Sequence, residues 1–406
     1  MPASGRFARG TVFTVLGGDT NRIIHAQSPS FYPTFEMDLK PYDSTSRRHL
    51  FLGLLMRDGE QQSLDDYPIM EVSGRERPRV LVLASDTLFS HFFPESALAR
   101  LSEVAEWSRY AEREESPQLR AEMAQADVFI TTWHSPFLRM EMLGDQPRVR
   151  LIAHCGGEVK SRMEEAIFDQ VTVTNAAEPM ATPVAEMALA LMLALVRRLP
   201  DYAEEMRRGV VKTNEYVSRG ETVHGRKIGL IGFGRIGKAF AKMVKPLEVE
   251  LLVTDPFSSA ETVVAEKAKL VGLDVLLRSC SVVVLAAGLT RETRNLLDKR
   301  RLALMPDGAY LINVARGGLI DMDALLAELR TARISVALDV TDPLEPLPPD
   351  HELRRLPNAL LTPHIAAGGI ELRRAIGAVA IEEVVRFCKG EQQENIVTRE
   401  MLAKMT

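Results

Sequence analysis

Gly232-Phe233-Gly234-Arg235-Ile236-Gly237 follows an apolar run, Lys227 to Ile231 (KIGLI), and opens a stretch of helical character. In that context the G-x-G-x-x-G spacing reads as a pyrophosphate-binding turn. The first glycine permits the tight turn, the second lets backbone approach a phosphate, and the third allows close helix-to-strand packing. The helix N-terminus attracts the anionic charge. The bare string also serves as a plain turn, and Asp255 decides between the two. It ends the next apolar run 18 residues after Gly237, near the roughly 20 expected for the acid that accepts both ribose hydroxyls. Its carboxylate would repel a 2'-phosphate, and Pro256-Phe257 brings no arginine to receive one, so the expected cofactor is NAD rather than NADP.

Three later segments each end an apolar run with a polar group suited to chemistry. They are Asn313-Val314-Ala315-Arg316-Gly317-Gly318, then Asp339 leading to Glu345-Pro346, then Thr362-Pro363-His364. Open α/β sheets bind ligands beyond their strand C-termini, so these groups can converge on one crevice. Taken singly, each has an ordinary alternative: a histidine that caps a loop, a solvated arginine beside Gly-Gly, a surface Glu-Pro.

The elements that must position these groups alternate along the chain. Strands are expected at Arg79 to Ala84, Val128 to Thr132 and Val149 to Ala153, with a helix around Glu95 to Trp107. Pro183 opens a long apolar helix that ends by Pro200, and the strand pattern then restarts. Its runs are Lys227 to Ile231, Glu250 to Thr254, Ser281 to Ala286, Tyr310 to Ala315, Ser335 to Val340 and Ala359 to Thr362. They are almost continuously apolar, as strands buried on both faces of a parallel sheet are. Gly369 to Lys389 is an amphipathic helix expected to return to the first domain. Met1 to Pro78 reads as an irregular extension, interrupted by Gly17-Gly18 and by Pro29, Pro33, Pro41 and Pro68. Met70, just ahead of the first convincing strand, marks that extension as a candidate for removal.

Of the 406 residues, 46% are hydrophobic and 26% charged, enough for two globular domains, and the net charge of -5 offers no polycationic face for nucleic acid. Cys155, Cys280 and Cys388 are too widely spaced for a metal pattern or a disulfide framework, so no metal is expected and a reducing cytoplasm fits. The longest uncharged apolar run, Met187 to Val196, falls short of the roughly 20 residues of a membrane span and reads as a core helix. The first 27 residues carry arginines around short apolar stretches, and no secretory signal is read there.

The segments GFGRIG, INVARGGLID, ALDVTDPLEPLPPDH and LTPHIAAG together resemble the D-isomer-specific 2-hydroxyacid dehydrogenase family, over roughly Arg79 to Leu402. The resemblance implies an α/β chain of two parallel-sheet domains: a Rossmann-like NAD domain (200–362) inserted into a flavodoxin-like substrate domain (79–195 and 366–406), with residues 1–78 outside both. It implies hydride transfer between NAD(H) and a small 2-keto or 2-hydroxy acid, with D specificity, and a homodimer. Carried over by motif, His364 would be the acid-base group, Glu345 would bond its imidazole, and Arg316 would hold the substrate carboxylate and polarise the carbonyl. Asp339 would accept from the nicotinamide carboxamide, and Arg235 and Ile236 would lie along the pyrophosphate. Val314, Ala315, Arg316, His364 and Ala367 complete the implied cofactor contacts.

Three departures from the family pattern stand out. The interval from Asp339 to Glu345 is one residue longer than usual, with Leu344 in the usual place and Asp342 as a substitute acid. His154-Cys155-Gly156-Gly157-Glu158-Val159-Lys160 replaces a Gly-rich segment with an aspartate. The backbone amides of Gly156, Gly157, Glu158 and Val159 remain candidates for the substrate carboxylate, and Lys160 reads as solvated. Ala286-Ala287-Gly288 stands where a proline-containing segment is usual. The Asp-Val-Thr and Glu-Pro-Leu-Pro stretch looks most like glyoxylate or hydroxypyruvate reductases. An NAD-sensing binding protein on the same fold, like the C-terminal-binding corepressors, keeps the same groups and is the alternative reading.

Overall fold

The computed structural model describes residues 77–144, 146–210, 219–403 and 405, and the backbone of two strands nearer the start, 12–18 and 21–27. The chain forms two compact units, Met1–Glu76 and Arg77–Thr406. In the first, β1 (Val12–Gly18) and β2 (Asn21–Gln27) pair antiparallel, Gly18 opposite Asn21. This corrects the expectation of a wholly irregular segment. The Gly17-Gly18 pair, read as an interruption, ends one strand of a hairpin, a place where turn residues belong. Of the rest of the expected extension only Arg77 and Pro78 are described; Met70 lies outside the described residues.

In the second unit, β3 (Arg79–Leu83), β4 (Glu106–Tyr110), β5 (Val128–Thr131), β6 (Leu151–His154) and β7 (Thr172–Asn175) form an all-parallel sheet in the order β4-β3-β5-β6-β7. That is the flavodoxin-like order. β4 and β7 were not anticipated. The helix expected to reach Trp107 stops at Val104, and Glu106–Tyr110 becomes an edge strand. Its sequence, EWSRY, is polar because only its last residue is buried.

A seven-stranded sheet, also entirely parallel, follows. It consists of β8 (Lys227–Ile231), β9 (Glu250–Thr254), β10 (Lys269–Leu270), β11 (Val282–Leu285), β12 (Tyr310–Asn313), β13 (Ser335–Leu338) and β14 (Ala359–Leu361). The order β10-β9-β8-β11-β12-β13-β14 reverses direction between β8 and β11. This is the Rossmann arrangement, and such a switch point opens a crevice at the strand C-termini.

The apolar helix Ala181–Val196 buries Val184, Ala185, Ala188, Leu191, Met192 and Val196 in the core of this second sheet, together with Ile228, Leu230 and Phe240. The sequence boundary at 195 therefore cuts after an element whose core partners belong to the second layer. Helix Ile370–Lys389 returns to the first sheet, packing Leu372, Ile376, Ala380, Ile381 and Val384 against Val82, Ile130 and Ala153. Glu383, 2% exposed, accepts hydrogen bonds from the backbone of Glu394 and Asn395. The segment so turned runs beside β7, where Val397 N–H donates to the Val173 carbonyl.

That return depends on Gly377. A Cβ there would meet the carbonyl carbon of Phe92 at 2.8 Å, so the helix and Asp86–Phe92 touch backbone to backbone. Gly377→Val is expected to destabilise the protein by about 1–3 kcal/mol, the usual penalty for overpacking. A shift of the urea midpoint to lower concentration checks this; an unchanged midpoint would show that the helix can slide.

Candidate active site

Gly232 leaves β8 at φ 97°, a conformation that disfavours any side chain, and a Cβ on it would lie 2.6 Å from the Ala286 and Ala287 backbone. The replaced segment Ala286-Ala287-Gly288 is thus the surface on which the glycine turn packs. A Cβ on Gly237 would run into the Gly232 carbonyl oxygen, whereas around Gly234 nothing lies within 4 Å. Turn, open approach and tight packing are therefore divided among the three glycines as expected. Gly234 caps the helix Arg235–Val244, whose N-terminal amides face the same opening. The Asp255 carboxylate reaches back to accept from Phe233 N–H at 2.7 Å and from Phe257 N–H at 2.7 Å. A dinucleotide fits here on three counts: amides and dipole for the pyrophosphate, space over Gly234, and an acid beside the loop. Arg235 pairs with Glu178 at 3.2 Å on the exposed side of the helix, and Ile236 packs against the core.

The other strand ends bring their polar groups together. His364 Nδ1 lies 2.8 Å from Glu345 Oε1, with both side chains partly exposed. Asp342, the substitute acid, is held instead by Arg294 at 3.2 Å. The additional residue before Glu345 is absorbed in a turn in which Thr341 Oγ1 donates to the Leu344 carbonyl at 2.6 Å and the Leu344 side chain faces out. Arg316, just beyond β12, donates from Nη1 to the Ala315 carbonyl at 2.7 Å. Burial pulls its pKa below the usual guanidinium value, Glu158 and Glu345 oppose that pull, and Arg162 adds to it. Arg316 thus lies in the field of both the imidazole's partner and the loop after β6.

Residues 189–366 match the family description "D-isomer specific 2-hydroxyacid dehydrogenase, NAD binding domain". The chain is 32% identical over 319 residues to a glyoxylate reductase of Pyrococcus horikoshii, covering 76% of this chain and 94% of that protein. It is 36% identical over 228 residues to a D-3-phosphoglycerate dehydrogenase of Archaeoglobus fulgidus, 56% of this chain but only 43% of that longer protein. This chain belongs to the D-isomer-specific 2-hydroxyacid dehydrogenase family. A crystal structure of a Thermus thermophilus protein superposes with a TM-score of 0.67 at 32% identity, covering 79% of this chain and all of that one. As a member of the family the chain is a nicotinamide-dinucleotide-linked oxidoreductase of 2-hydroxy acids.

The loop after β6 carries Glu158, one of the two acids that act on Arg316. The Gly156 carbonyl accepts from Ala176 N–H at 2.9 Å, and the Gly157 carbonyl accepts from Asn175 Nδ2 at 2.8 Å. Val159 is buried in the core and Glu158 is occupied by Ser161, to whose backbone N–H it lies 2.6 Å away. Among the described residues no protein acceptor takes the N–H groups of Gly157, Glu158 and Val159. Successive free amides of this kind suit a carboxylate. Lys160 faces the charge of Glu292, which lies beyond β11.

Three residues expected at the cofactor, Val314, Ala315 and Asp339, are almost wholly covered by the protein. Val314 and Ala315 are 5% and 7% exposed and belong to the hydrophobic cores. Asp339, 1% exposed, bonds its carboxylate to the segment that follows β14. Oδ1 accepts from Thr362 Oγ1 at 2.5 Å and Ile365 N–H at 2.9 Å, and Oδ2 from Ala366 N–H at 2.9 Å. Ala367 packs against the core of each layer, at the joint between them. Sequence reasoning missed this bracing because hydrogen bonds over 23 to 27 residues leave no local pattern. It also missed the anchoring of the loop after β6 by Asn175.

Nor did it single out His154 beyond the start of that loop. His154 is 1% exposed, with Nδ1 2.9 Å from Thr131 Oγ1 and Nε2 without a partner. Burial, reinforced by the charge of Arg162, pushes its pKa down from 6.5 to about 3. It is therefore neutral at physiological pH. The folded state binds this proton less readily than the unfolded chain, so the stability it supports is complete above pH 6.5 and declines as the pH falls toward 3. The slope is at most about 1.4 kcal/mol per pH unit. Thermal melts at pH 7 and pH 5 are expected to show a smaller loss for His154→Gln than for the unsubstituted protein; equal losses would reject this assignment.

Proposed function

We propose that the protein reduces small 2-keto acids to D-2-hydroxy acids with NADH, and that Arg316, Glu345 and His364 act on the substrate's reacting end. The observation that carries this reading is the 2.8 Å contact between His364 Nδ1 and Glu345, made beside a half-buried arginine with no carboxylate in ion-pair contact among the described residues. Nicotinamide supplies the hydride when bound. The chain supplies the rest. In the reductive direction the imidazole enters doubly protonated: Glu345 accepts from Nδ1–H and orients the ring, and Nε2–H gives its proton to the ketone oxygen as that oxygen becomes a hydroxyl. In the oxidative direction Nε2 takes the proton back. Arg316 and the free amides of Gly157, Glu158 and Val159 receive the carboxylate from two sides, and a guanidinium so placed also polarises the adjacent carbonyl.

On this reading the seven-stranded layer (200–362) is the cofactor domain, and the five-stranded layer with the returning C-terminal helix is the substrate domain. Gly232, Gly234, Gly237 and the helix N-terminus hold the pyrophosphate. Asp255 takes the ribose hydroxyls, and its negative charge favours NAD over NADP. Glyoxylate and hydroxypyruvate are the first substrates to test, on the sequence resemblance and on the name of the Pyrococcus relative. A homodimer in the cytoplasm completes the reading, supported by the family resemblance and by free cysteines at 155, 280 and 388.

A spectrophotometric screen of NADH oxidation against glyoxylate, hydroxypyruvate, pyruvate, phenylpyruvate and branched 2-keto acids tests this directly. Turnover with at least one acid is expected, and none would reject the reading. His364→Ala is expected to lower kcat at least about a hundredfold, the lower range for general acid catalysis. Asp255→Ala should weaken NADH binding and narrow the preference over NADPH, read by fluorescence titration; an unchanged preference would remove the ribose contact. Light scattering during size-exclusion chromatography decides the dimer.

A further inference from the structure

Two buried polar residues stand at the ends of neighbouring strands, and neither is used by the chemistry above. Asn313 closes β12 and Asp339 follows β13; they are 0% and 1% exposed. They are joined by the Asp339 N–H, which donates to the Asn313 carbonyl at 3.0 Å. Each side chain then bonds to the turn that continues from its own strand or the next. Asn313 Nδ2 donates to the Arg316 carbonyl at 2.9 Å, and Oδ1 accepts from Ala315 N–H at 3.0 Å. Asp339 spans Thr362, Ile365 and Ala366 through its carboxylate, while its backbone carbonyl accepts from His364 N–H at 2.8 Å.

His364 sits between those anchors at φ 52°, a region that a histidine enters only when its surroundings hold it there. The turns bearing Arg316 and Glu345 also meet backbone to backbone, since a Cβ on Gly317 would run into Thr341 and come 2.5 Å from Asp342 N. Arg316, Glu345 and His364 thus hang from one rigid edge of the sheet.

We propose that Asn313 and Asp339 are positioning residues acting as a pair, Asn313 fixing the turn of Arg316 and Asp339 the loop of His364. Together they set the spacing between the groups that receive the substrate's carboxylate and its carbonyl oxygen. The proposal rests on the reductase reading for the identity of those groups. It makes the His364 loop the first duty of Asp339, ahead of contact with the nicotinamide carboxamide.

The test compares Asn313→Ala and Asp339→Asn with the unsubstituted enzyme, using the keto acid it reduces best, and measures NADH Kd by fluorescence. A misplacement of the order of 1 Å is enough to lower kcat/KM by about tenfold or more, and that loss is expected in both variants with NADH Kd changed by no more than about twofold. For Asn313→Ala the loss should lie mainly in KM, and for Asp339→Asn mainly in kcat, with an altered pH profile. The double variant should be little worse than the poorer single one, because residues acting as a unit are not additive. Unchanged kcat/KM, additive losses, or an NADH Kd that rises in step with the Asp339→Asn defect would overturn the pair.

Asn313→Asp covers the case in which the alanine variant fails to fold. Its protonated carboxyl keeps both donor and acceptor, so its activity relative to the unsubstituted enzyme should recover as pH falls; a flat ratio counts against the proposal. A crystal structure of either Asn313 variant at neutral pH gives a readout independent of turnover. Arg316 displaced from its place supports the pairing and Arg316 unmoved rejects it, even if no keto acid is reduced.

Discussion

A carboxylate taken out of water must find its hydrogen bonds inside the protein or forfeit several kcal/mol. Asp339 finds them in one hydroxyl and two backbone amides of the segment 362–366, with no cation in ion-pair reach among the described residues. The consequence is geometric. The chain leaving β14 cannot relax away from β13, and His364 is held in a left-handed conformation at the sheet edge, within reach of Glu345. The relation between His364 and Glu345 depends on that one buried group.

Parallel topology explains why a single edge carries so much. Every strand of the second sheet ends on the same side, so the turns after β8, β12, β13 and β14 are neighbours in space although more than a hundred residues of sequence separate the first from the last. Gly232 packs on Ala286 and Ala287, and Gly317 on Thr341 and Asp342. Backbone contacts of this kind leave no side chain to adjust, and they tie the glycine turn after β8 to one strand end and the turn of Arg316 to another. The returning helix Ile370–Lys389, which begins just after His364, carries the same edge over to the first sheet.

Charge is distributed to suit an anionic ligand. Among the described residues most surface arginines are paired with carboxylates, as Arg300 is with Asp274 and Arg330 with Glu352, and such exposed pairs contribute little to stability. Arg316 is different, since it donates to a backbone carbonyl and the acids that act on it, Glu158 and Glu345, are engaged with Ser161 and His364. A protein of net charge -5 thus keeps positive potential where a carboxylate would arrive.

The sequence by itself determined the elements whose signals are local. Continuous apolar runs marked β8, β9 and β11 to β14 to within two residues. The glycine spacing with Asp255 marked the dinucleotide turn, and the motif order named Arg316, Glu345 and His364. It did not show β4, β7 or β10, because EWSRY buries only its last residue, TVTN is mostly polar in sequence and KL is a two-residue exposed strand, so none has the apolar run that betrays a central strand. It preferred Glu345 to Asp342 without showing the partner of either, and it did not show which groups bond the Asp339 carboxylate. Only the tertiary structure decided these, since a side chain's hydrogen-bond partner depends on which strand ends lie side by side, a property of sheet order that no stretch of sequence around 339 or 345 contains.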